Sequence, residues 1–381
     1  MPKPFHGGRS WPRTSFIHDR PIETLPPPDE LCIPLWRGGS AIVVPGQHVA
    51  AQSVVGSLCT GMPAYTPLAG TVKEVFDFAE LSVRPARFDH PRLTVRIAVS
   101  DDGTEPEPPF PPRPRYWELS HAELCHRLFA AGVADLRDRE LPREIAFDAL
   151  DPEPPLSTNL RLLMERPEEL LEGMRVLMQA HAAVRARLAV PADRRELIAA
   201  LRAMLTSSVN LHVAAVANRY PARHPALLPA RCGLAAGAAI YAMRDALRAR
   251  RAVALGRPVV TTFATLWDER ARRFRNAELP LGTSLGRALG VAAPPDDHSL
   301  AAAKPRAACD GCGRCLAVCP ARLDPSRIYR LERDGDRGGL QGLRTGDCLG
   351  CGLCTHACPA GLDLCQQVAL AGGAVAEADR C

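Results

Sequence analysis

The chain of 381 residues is too long for one ordinary hydrophobic core, so its length predicts two to four domains. Apolar residues make up 46% and charged residues 23%, a composition that argues against a wholly disordered chain and against a bundle of membrane spans. The net charge of +5 comes from interspersed charges, with only three lysines among 47 basic residues, and it therefore does not favour nucleic acid as a partner.

The first eight residues, MPKPFHGG, have no apolar core of the kind that a secretory signal needs. No apolar run approaches the ~20 residues of a transmembrane helix. The longest candidate, Gly233–Met243, is rich in alanine and glycine and is followed by Arg244. These features predict a chain that lies in the cytoplasm, or that is peripheral to a membrane and held there by other subunits.

Residues 1–100 are predicted to form a β domain, because short β-branched runs alternate there with glycine and proline. The runs are Ala41–Val44, Val49–Val55, Gly70–Val75 and Leu93–Val99. Residues 101–116, rich in proline and acidic side chains, are predicted to be an extended linker.

Helical periodicity follows, and Pro167 with two glutamates after it is typical of a first helical turn. The apolar stripe predicts a helix that continues to residues 188–190, and a second helix from Pro191 to Leu205. Strands are expected at Asn210–Val216 and from Pro258, so that strands and helices alternate in an α/β layer. A second linker is expected at Ala292–Pro305.

Cysteine gives the most specific signal, because eight of the 14 cysteines fall between residues 309 and 358. Residues 309–324 (CDGCGRCLAVCPARLD) and 348–363 (CLGCGLCTHACPAGLD) are an internal repeat, identical at ten of sixteen positions. Each copy has the pattern C-x2-C-x2-C-x3-C-P. In a chain without an export signal, this clustering indicates metal binding rather than disulfides.

The pattern is typical of [4Fe–4S] clusters, in which three thiolates spaced by two residues bind three corners of one cube. Glycines within the motif allow the backbone to turn around the cube and bring N–H groups toward sulfur. The fourth cysteine lies too far along to close its own cube, so it ligates the other cluster. We therefore expect cluster 1 on Cys309, Cys312, Cys315 and Cys358, and cluster 2 on Cys348, Cys351, Cys354 and Cys319.

Zinc is the alternative for paired C-x2-C motifs. A zinc ion takes four ligands, commonly as two pairs, and requires neither a third cysteine at the same spacing nor a terminal Cys-Pro. Two complete copies of the longer pattern therefore favour iron–sulfur clusters.

Asp324 is predicted to cap a helix that begins at Pro325, with Ile328, Tyr329 and Leu331 packed near the clusters. His356 lies inside the second motif, but the thiolates already complete the site, so we expect it around the site or in solvent. The remaining cysteines show no ligand spacing and are predicted to be buried or idle thiols: Cys32, Cys59, Cys125, Cys232, Cys365 and Cys381. A two-cluster unit binds no substrate, so it needs one partner that donates electrons and another that accepts them.

Several segments outside the repeat contain residues that are characteristic of one protein family: Phe5–Gly8, Val44–Gln52, Tyr65–Val72, Leu163–Glu169, Arg219–Pro221 and Gly256–Val260. Together with the repeat, these segments resemble RnfC, the iron–sulfur protein of the Rnf-type ion-translocating electron-transport complex. The stretch around Tyr65 also looks like a biotinyl or lipoyl carrier. Residues 53–65 contain no lysine for a prosthetic arm, so only a structural β domain is expected there.

The resemblance implies a multidomain α+β fold with domains in a fixed order. These are a barrel-sandwich β domain (1–100), the linker (101–116), an α/β domain like the NADH/FMN domain of the complex I flavoprotein (117–252), a small β-grasp module (253–298), a two-[4Fe–4S] ferredoxin domain (299–370) and a tail (371–381).

The family's flavin site is matched only in part. Glu153, followed by Pro154, corresponds to an acidic stretch of that site. The family's Gly-Gly-Ala-Gly-Phe-Pro loop is replaced by residues 131–142 (AGVADLRDRELP), in which Asp135, Asp138 and Glu140 would repel phosphate. Either the site is degenerate or flavin binds in a modified pocket. The loss of glycines favours the first, so bound FMN or NADH is not expected.

The resemblance therefore implies an iron–sulfur electron-transfer subunit of an Rnf-like membrane-associated oxidoreductase complex, coupled to ion translocation. Its expected partners are membrane subunits and a redox donor or acceptor protein, and its expected location is peripheral, on the cytoplasmic side of the inner membrane. Two alternatives stay open: a soluble NADH- or flavin-dependent reductase of the same family, and a non-catalytic scaffold whose clusters only hold the fold.

Overall fold

The computed structural model describes residues 7–10, 20–35, 38–77, 93–100, 106–137, 140–151, 156–268, 273–284 and 308–378. The chain divides into two compact units. We call them the large unit (Thr14–Ala215 and Gly237–Pro294) and the cysteine unit (Met1–Arg13, Val216–Ala236 and Pro295–Cys381). Each unit joins segments that are distant in sequence, and the predicted domain boundaries stay predictions.

The strands of the described residues are β1 (Arg9–Ser10), β2 (Ile22–Thr24), β3 (Glu30–Pro34), β4 (Ser40–Ala41), β5 (His48–Val49), β6 (Val54–Ser57), β7 (Pro63–Tyr65), β8 (Gly70–Asp77), β9 (Leu93–Val99), β10 (Glu144–Asp148), β11 (Arg185–Pro191), β12 (Leu211–Val216), β13 (Arg219–Tyr220), β14 (Ala239–Ala242), β15 (Thr261–Asp268) and β16 (Arg273–Pro280).

The helices are α1 (His121–Ala130), α2 (Thr158–Glu165), α3 (Pro167–Ala180), α4 (Arg195–Met204), α5 (Leu228–Arg231), α6 (Met243–Ala254), α7 (Arg314–Val318), α8 (Pro325–Arg333), α9 (Arg337–Leu340), α10 (Leu353–Ala357) and α11 (Leu364–Ala378). Short 3-10 turns occur at Tyr116–Glu118 and Thr345–Asp347. Within the described ranges, no helix combines the length and the apolar character that crossing a bilayer requires.

Two antiparallel sheets form the N-terminal part of the large unit, as the β-branched runs predict. Their strand orders are β3-β9-β8-β5 and β4-β6-β7. In β3, Leu31 and Ile33 are buried while Glu30 is exposed, an alternation expected of a strand with one face on the core. Valines and isoleucines of both sheets share one core cluster.

Strand β2 does not join these sheets, although the sequence places it among the N-terminal strands. It pairs in parallel with β16, which pairs antiparallel with β15 in a three-stranded sheet. The buried Asn276 on β16 donates its side-chain N–H to the carbonyl of Arg20 at 3.3 Å, next to β2. Residues far apart in sequence therefore build this small sheet together.

The centre of the large unit is a four-stranded sheet of order β12-β11-β10-β14, in which β10 pairs in parallel with both neighbours. Strand β10 is buried almost throughout, as is typical of a parallel strand covered on both faces. Helices α3 and α6 pack against each other so closely that a Cβ on Gly173 would lie 1.8 Å from the carbonyl oxygen of Ala246. The predicted α/β layer is confirmed.

The prediction of a helix as far as residues 188–190 is wrong. Helix α3 ends at Ala180, and Arg185–Pro191 forms strand β11 beside β10. The apolar run Leu188–Val190 is buried in the parallel sheet, where a continuous hydrophobic run cannot be told from a helix by periodicity alone.

The linker segments are only partly described. Residues 106–115 are part of the large unit, in which the Phe110 N–H donates to the Gly256 carbonyl at 3.3 Å and the Arg113 N–H donates to the Val253 carbonyl at 2.9 Å. Residues 101–105 and the predicted linker Ala292–Pro305 lie outside the described residues.

Candidate iron–sulfur site

The two cysteine motifs fold alike in the cysteine unit. Each begins with a turn through two glycines in the left-handed region, with φ of +72° and +68° at Gly311 and Gly313, and of +64° and +73° at Gly350 and Gly352. Each turn leads into a five-residue helix, α7 or α10. Only glycine adopts this conformation without strain, so the predicted role of the motif glycines in turning the chain is confirmed.

The fourth cysteine of each motif ends its helix with extended backbone. Cys319 has φ and ψ of −71° and 117°, and Cys358 has −73° and 117°. The N–H of Cys319 donates to the Leu316 carbonyl at 3.3 Å, and the N–H of Cys358 donates to the Thr355 carbonyl at 3.2 Å. The chain therefore leaves each motif in the same direction relative to its own turn.

One cavity is lined by three cysteines of the second repeat and one of the first. Its wall contains Cys319 together with Cys348, Cys351 and Cys354. The rest of the wall is mainly apolar, with leucine, proline, alanine and valine side chains. The N–H of Leu323 donates to the Cys319 sulfur at 3.4 Å. This is the quartet expected for cluster 2, brought together across the repeat, and its role as the ligand set stays a prediction.

The quartet expected for cluster 1 is less enclosed. Cys315 and Cys358 are buried in one packed cluster that also contains Cys354 of the other expected quartet. Cys309 and Cys365 lie against it, while Cys312 is exposed. The Asp310 carboxylate accepts the N–H of Cys312 at 3.1 Å. Three of the four expected ligands therefore share one region, and the fourth is exposed.

Burial acts on the thiols of both quartets. It raises the pKa of Cys315, Cys348 and Cys351, and it raises the pKa of Cys354 to about 12. Thiols in such an environment keep their protons until a metal displaces them, because only the thiolate ligates. Among the described residues, no three His, Cys, Asp or Glu side chains converge on a point that could hold a single metal ion. In a [4Fe–4S] cube, each thiolate binds a different iron.

Segments from elsewhere in the sequence support the two motifs. The Tyr220 hydroxyl donates to the carbonyl of Cys351 at 2.8 Å, and the N–H of Gly8 donates to the carbonyl of Val318 at 3.0 Å. Gly7, at φ +69°, lies so close that a Cβ there would be 2.6 Å from the same carbonyl oxygen. Strand β1, which follows Gly8, pairs antiparallel with β13, which contains Tyr220. The sequence marked both segments only by family resemblance.

The helix after the first motif forms as predicted. It begins at Pro325, and the Asp324 carboxylate caps it by accepting the N–H of Arg327 at 3.0 Å. Ile328 is buried beside Cys319, and Tyr329 packs beside Cys315 and Cys358. His356 is exposed.

Cys365 is predicted to be a buried or idle thiol, and the structure places it half-buried beside the expected ligands of cluster 2. It lies at the second residue of α11 and lines the same cavity as the cluster 2 quartet. The spacing rule could not find it, because α11 returns it to the motif from outside the C-x2-C pattern. Of the other non-motif cysteines, Cys125 and Cys232 are buried, Cys32 is half-buried and Cys59 is exposed. Cys381 lies outside the described residues.

The region that corresponds to the family's flavin site is described only in part, because Glu153 lies outside the described residues. At the carboxyl end of β10, the buried Asp148 accepts the N–H of Leu150 at 2.9 Å, and the buried Asp151 accepts the N–H of Asn159 at 3.0 Å. Both carboxylates therefore bind backbone N–H groups of this segment.

In the described part of the altered loop, charged side chains contact neighbouring residues. Asp135 pairs with Arg137 at 3.1 Å, and the Arg137 guanidinium lies 3.1 Å from the centre of the Phe129 ring. Asp138 lies outside the described residues, and Glu140 is exposed. The described residues therefore do not fit the phosphate of FMN in the manner of the family's glycine loop.

Comparison with known proteins assigns the cysteine motifs. The family described as "4Fe-4S dicluster domain" matches residues 308–362. This part of the chain is a two-cluster iron–sulfur domain. It provides for two [4Fe–4S] clusters, as the repeat predicts. The family described as "Nuo51 FMN-binding domain" matches residues 136–228, so the α/β layer is related to a flavin-binding domain.

Several curated RnfC proteins, named as components of the ion-translocating oxidoreductase complex, are similar along most of the chain. The protein of Haemophilus influenzae (strain 86-028NP) is 21% identical over 404 residues, covering 87% of this chain and 60% of that protein. That of Erwinia tasmaniensis is 23% identical, covering 83% and 46%, and that of Pasteurella multocida is 22% identical, covering 90% and 48%. The predicted resemblance to RnfC is confirmed, and the chain spans about half to three-fifths of these relatives.

Among solved structures, a chain of an NAD+-reducing [NiFe]-hydrogenase in the H2-reduced state matches 47% of this chain and 41% of its own length. The identity is 16% and the TM-score is 0.37, a similarity too low to assign a fold.

Proposed function

We propose that this protein is an electron-transfer subunit of an ion-translocating oxidoreductase complex of the Rnf type, and that it relays electrons through two [4Fe–4S] clusters. The observation that carries the proposal is the cavity in which Cys319 of the first repeat joins Cys348, Cys351 and Cys354 of the second. Such an exchange of ligands ties two clusters into one unit.

The residues present fit this cofactor. The cavity offers thiols in a mainly apolar wall, and backbone N–H groups point at sulfur from Leu323 to Cys319 and from Gly350 to Cys348. When bound, the clusters supply one-electron transfer at a potential that these hydrogen bonds and the burial help to set. The chain's own cysteines would hold the clusters, and the mainly apolar wall of the cavity would limit the access of water to cluster 2.

We assign Cys309, Cys312, Cys315 and Cys358 to cluster 1, and Cys348, Cys351, Cys354 and Cys319 to cluster 2. The partners are membrane subunits of the complex and a redox protein that donates or accepts electrons, and the proposed location is peripheral, on the cytoplasmic side of the membrane. The similarity to RnfC proteins supports this assembly.

The finer architecture is part of the proposal. The paired sheets β3-β9-β8-β5 and β4-β6-β7 support a barrel-sandwich domain, and the sheet β15-β16-β2 supports a β-grasp-like module. We further propose that the α/β domain retains the fold of a flavin-binding domain without the family's phosphate loop, because residues 131–142 lack the Gly-Gly-Ala-Gly sequence of that loop.

The competing function is a soluble NADH- or flavin-dependent reductase, which the match of residues 136–228 to an FMN-binding domain favours. It requires flavin to bind despite the altered loop. The two functions differ in one observable: a reductase reduces its own clusters with NADH, whereas a relay subunit needs a separate donor.

The test is to purify the full chain anaerobically and to measure iron, acid-labile sulfide and released flavin on one preparation. We expect about eight iron atoms per chain, two reducible [4Fe–4S] signals in electron paramagnetic resonance (EPR), and no bleaching by NADH. Iron at full occupancy with stoichiometric flavin and rapid NADH reduction would favour the reductase. A colourless, zinc-loaded protein would contradict both.

A further inference from the structure

The cavity of cluster 2 contains one cysteine more than a [4Fe–4S] cluster requires. Besides the expected quartet, Cys365 lines the same wall. Through its charge and a side-chain hydrogen bond, Cys365 adds to the rise that burial causes in the pKa of the Cys348 thiol. Cys365, which lies outside both motifs, is therefore close to Cys348, one of the expected ligands.

The position of Cys365 is fixed by a side chain of the motif itself. The Thr355 hydroxyl accepts the N–H of Cys365 at 2.9 Å and donates to the Asp363 carboxylate at 3.2 Å. This N–H belongs to the first turn of α11, where backbone donors have no partner within the helix. Thr355 thus holds the start of α11, and with it the fifth thiol, at the cavity.

The internal repeat provides a comparison within the same molecule. Cys348 corresponds to Cys309 and Cys365 corresponds to Ser326, each 39 residues earlier. Ser326 is buried at the start of α8, where its hydroxyl donates to the Asp324 carboxylate at 2.7 Å and it also hydrogen-bonds with Cys315. Because iron–sulfur clusters select thiolate over hydroxyl ligands, Ser326 offers no suitable ligand at the position where the second repeat offers Cys365.

The exposure of the four expected ligands indicates which of them a further thiol would replace. Cys319 and Cys354 are 9% and 8% exposed, whereas Cys348 and Cys351 are only half-buried. A half-buried ligand is more open to oxidants and alkylating reagents than a buried one. Cys365 raises the pKa of both thiols through its charge, and it raises that of Cys348 through a side-chain hydrogen bond as well.

We propose that Cys365 is a spare iron ligand of cluster 2 that can take the place of Cys348. In the exchange, the bond between iron and the Cys348 sulfur breaks and a bond between iron and the Cys365 sulfur forms. The thiol proton of Cys365 passes to Cys348, and no electron is gained or lost. The inference rests on the proposed function, because it requires a [4Fe–4S] cluster in this cavity.

The test compares full-length variants Cys348→Ala, the double variant C348A/C365A, and Cys309→Ala as the matched control in the first repeat. Each is purified anaerobically beside the wild type, and iron per chain and the EPR signals of the dithionite-reduced protein are measured. If alanine at position 348 prevents accumulation of protein, the pair C348S and C348S/C365A replaces it.

We expect C348A to keep both reduced [4Fe–4S] signals, one of them shifted, with about eight irons per chain. C348A/C365A should lose one signal, and C309A should lose the other, because Ser326 cannot replace a thiolate. Equal loss in C348A and C348A/C365A would overturn the proposal, as would an intact signal in the double variant. A wild type with fewer than two clusters would instead contradict the proposed function.

Discussion

The hydrogen bonds of Thr355 provide a prediction that is specific to one of the two clusters. We expect Thr355→Val to loosen the cluster 2 site while leaving cluster 1 intact. Valine keeps the branched shape of threonine but neither accepts the N–H of Cys365 nor donates to Asp363. The counterpart of Thr355 in the first repeat is Leu316, whose side chain has no group that forms hydrogen bonds.

The size of the effect follows from the hydrogen bonds that are lost. The N–H of Cys365 is part-buried and lies in the first turn of α11, where the helix itself offers no acceptor. Leaving a buried donor without a partner costs about 1–3 kcal/mol, which corresponds to a roughly fivefold to 150-fold change in the population of a locally opened state.

The assay is the loss of reduced [4Fe–4S] EPR signals after an iron chelator is added to the anaerobic protein. In the Val variant, one signal should decay faster by a factor within that range, and the other should decay at the wild-type rate. Thr355→Ser keeps the acceptor and serves as the control, with decay close to wild type. Equal acceleration of both signals, or no acceleration of either, would refute the reasoning.

Two further predictions concern the large unit. His181 is buried between the Pro142 carbonyl and the Tyr241 hydroxyl. Burial lowers the pKa of its imidazole below the usual 6.5. The unfolded chain therefore binds a proton at this histidine more readily than the folded chain does. Its contribution to stability is therefore present above pH ~6.5 and is lost as the pH falls below that value, by at most about 1.4 kcal/mol per pH unit. Urea unfolding of wild type and H181Q at pH 7.5 and 5.5 should show a flatter pH dependence for the variant, and identical dependences would exclude this role. Gly173→Ala should destabilise the large unit by about 1–3 kcal/mol, because the new Cβ would overlap the Ala246 carbonyl. Gly372→Ala, in α11 of the cysteine unit, should be neutral or stabilising by up to about 1 kcal/mol, because the atom nearest to the new Cβ would be 3.7 Å away. Thermal unfolding checks both, and a stable G173A protein would show that the two helices can separate without cost.

Local features of the cysteine unit are predictable from sequence because their causes are local. A glycine between two ligand cysteines is needed where the backbone turns with positive φ, and Gly313 and Gly352 both have it. An aspartate directly before a proline is a helix start, and Asp324 caps α8. These signals act within a few residues, so the sequence contains all of their information.

Long-range pairing cannot be predicted in the same way. Strand β2 pairs with β16, about 250 residues later, and β1 pairs with β13, so no local pattern distinguishes these partners from others. Periodicity predicts a helix where β11 forms, because an apolar run buried on both faces has no characteristic period. Ligand spacing does not find Cys365, because its proximity to the ligands depends on the tertiary fold of α11.

The central claim is that the two motifs exchange their fourth cysteine. The most direct measurement compares the reduced EPR signals of four full-length variants, C312A, C351A, C319A and C358A. The account predicts that C319A loses the same signal as C351A, and that C358A loses the same signal as C312A. If C319A instead loses the signal that C312A loses, each motif completes its own cluster and the crossed arrangement is wrong.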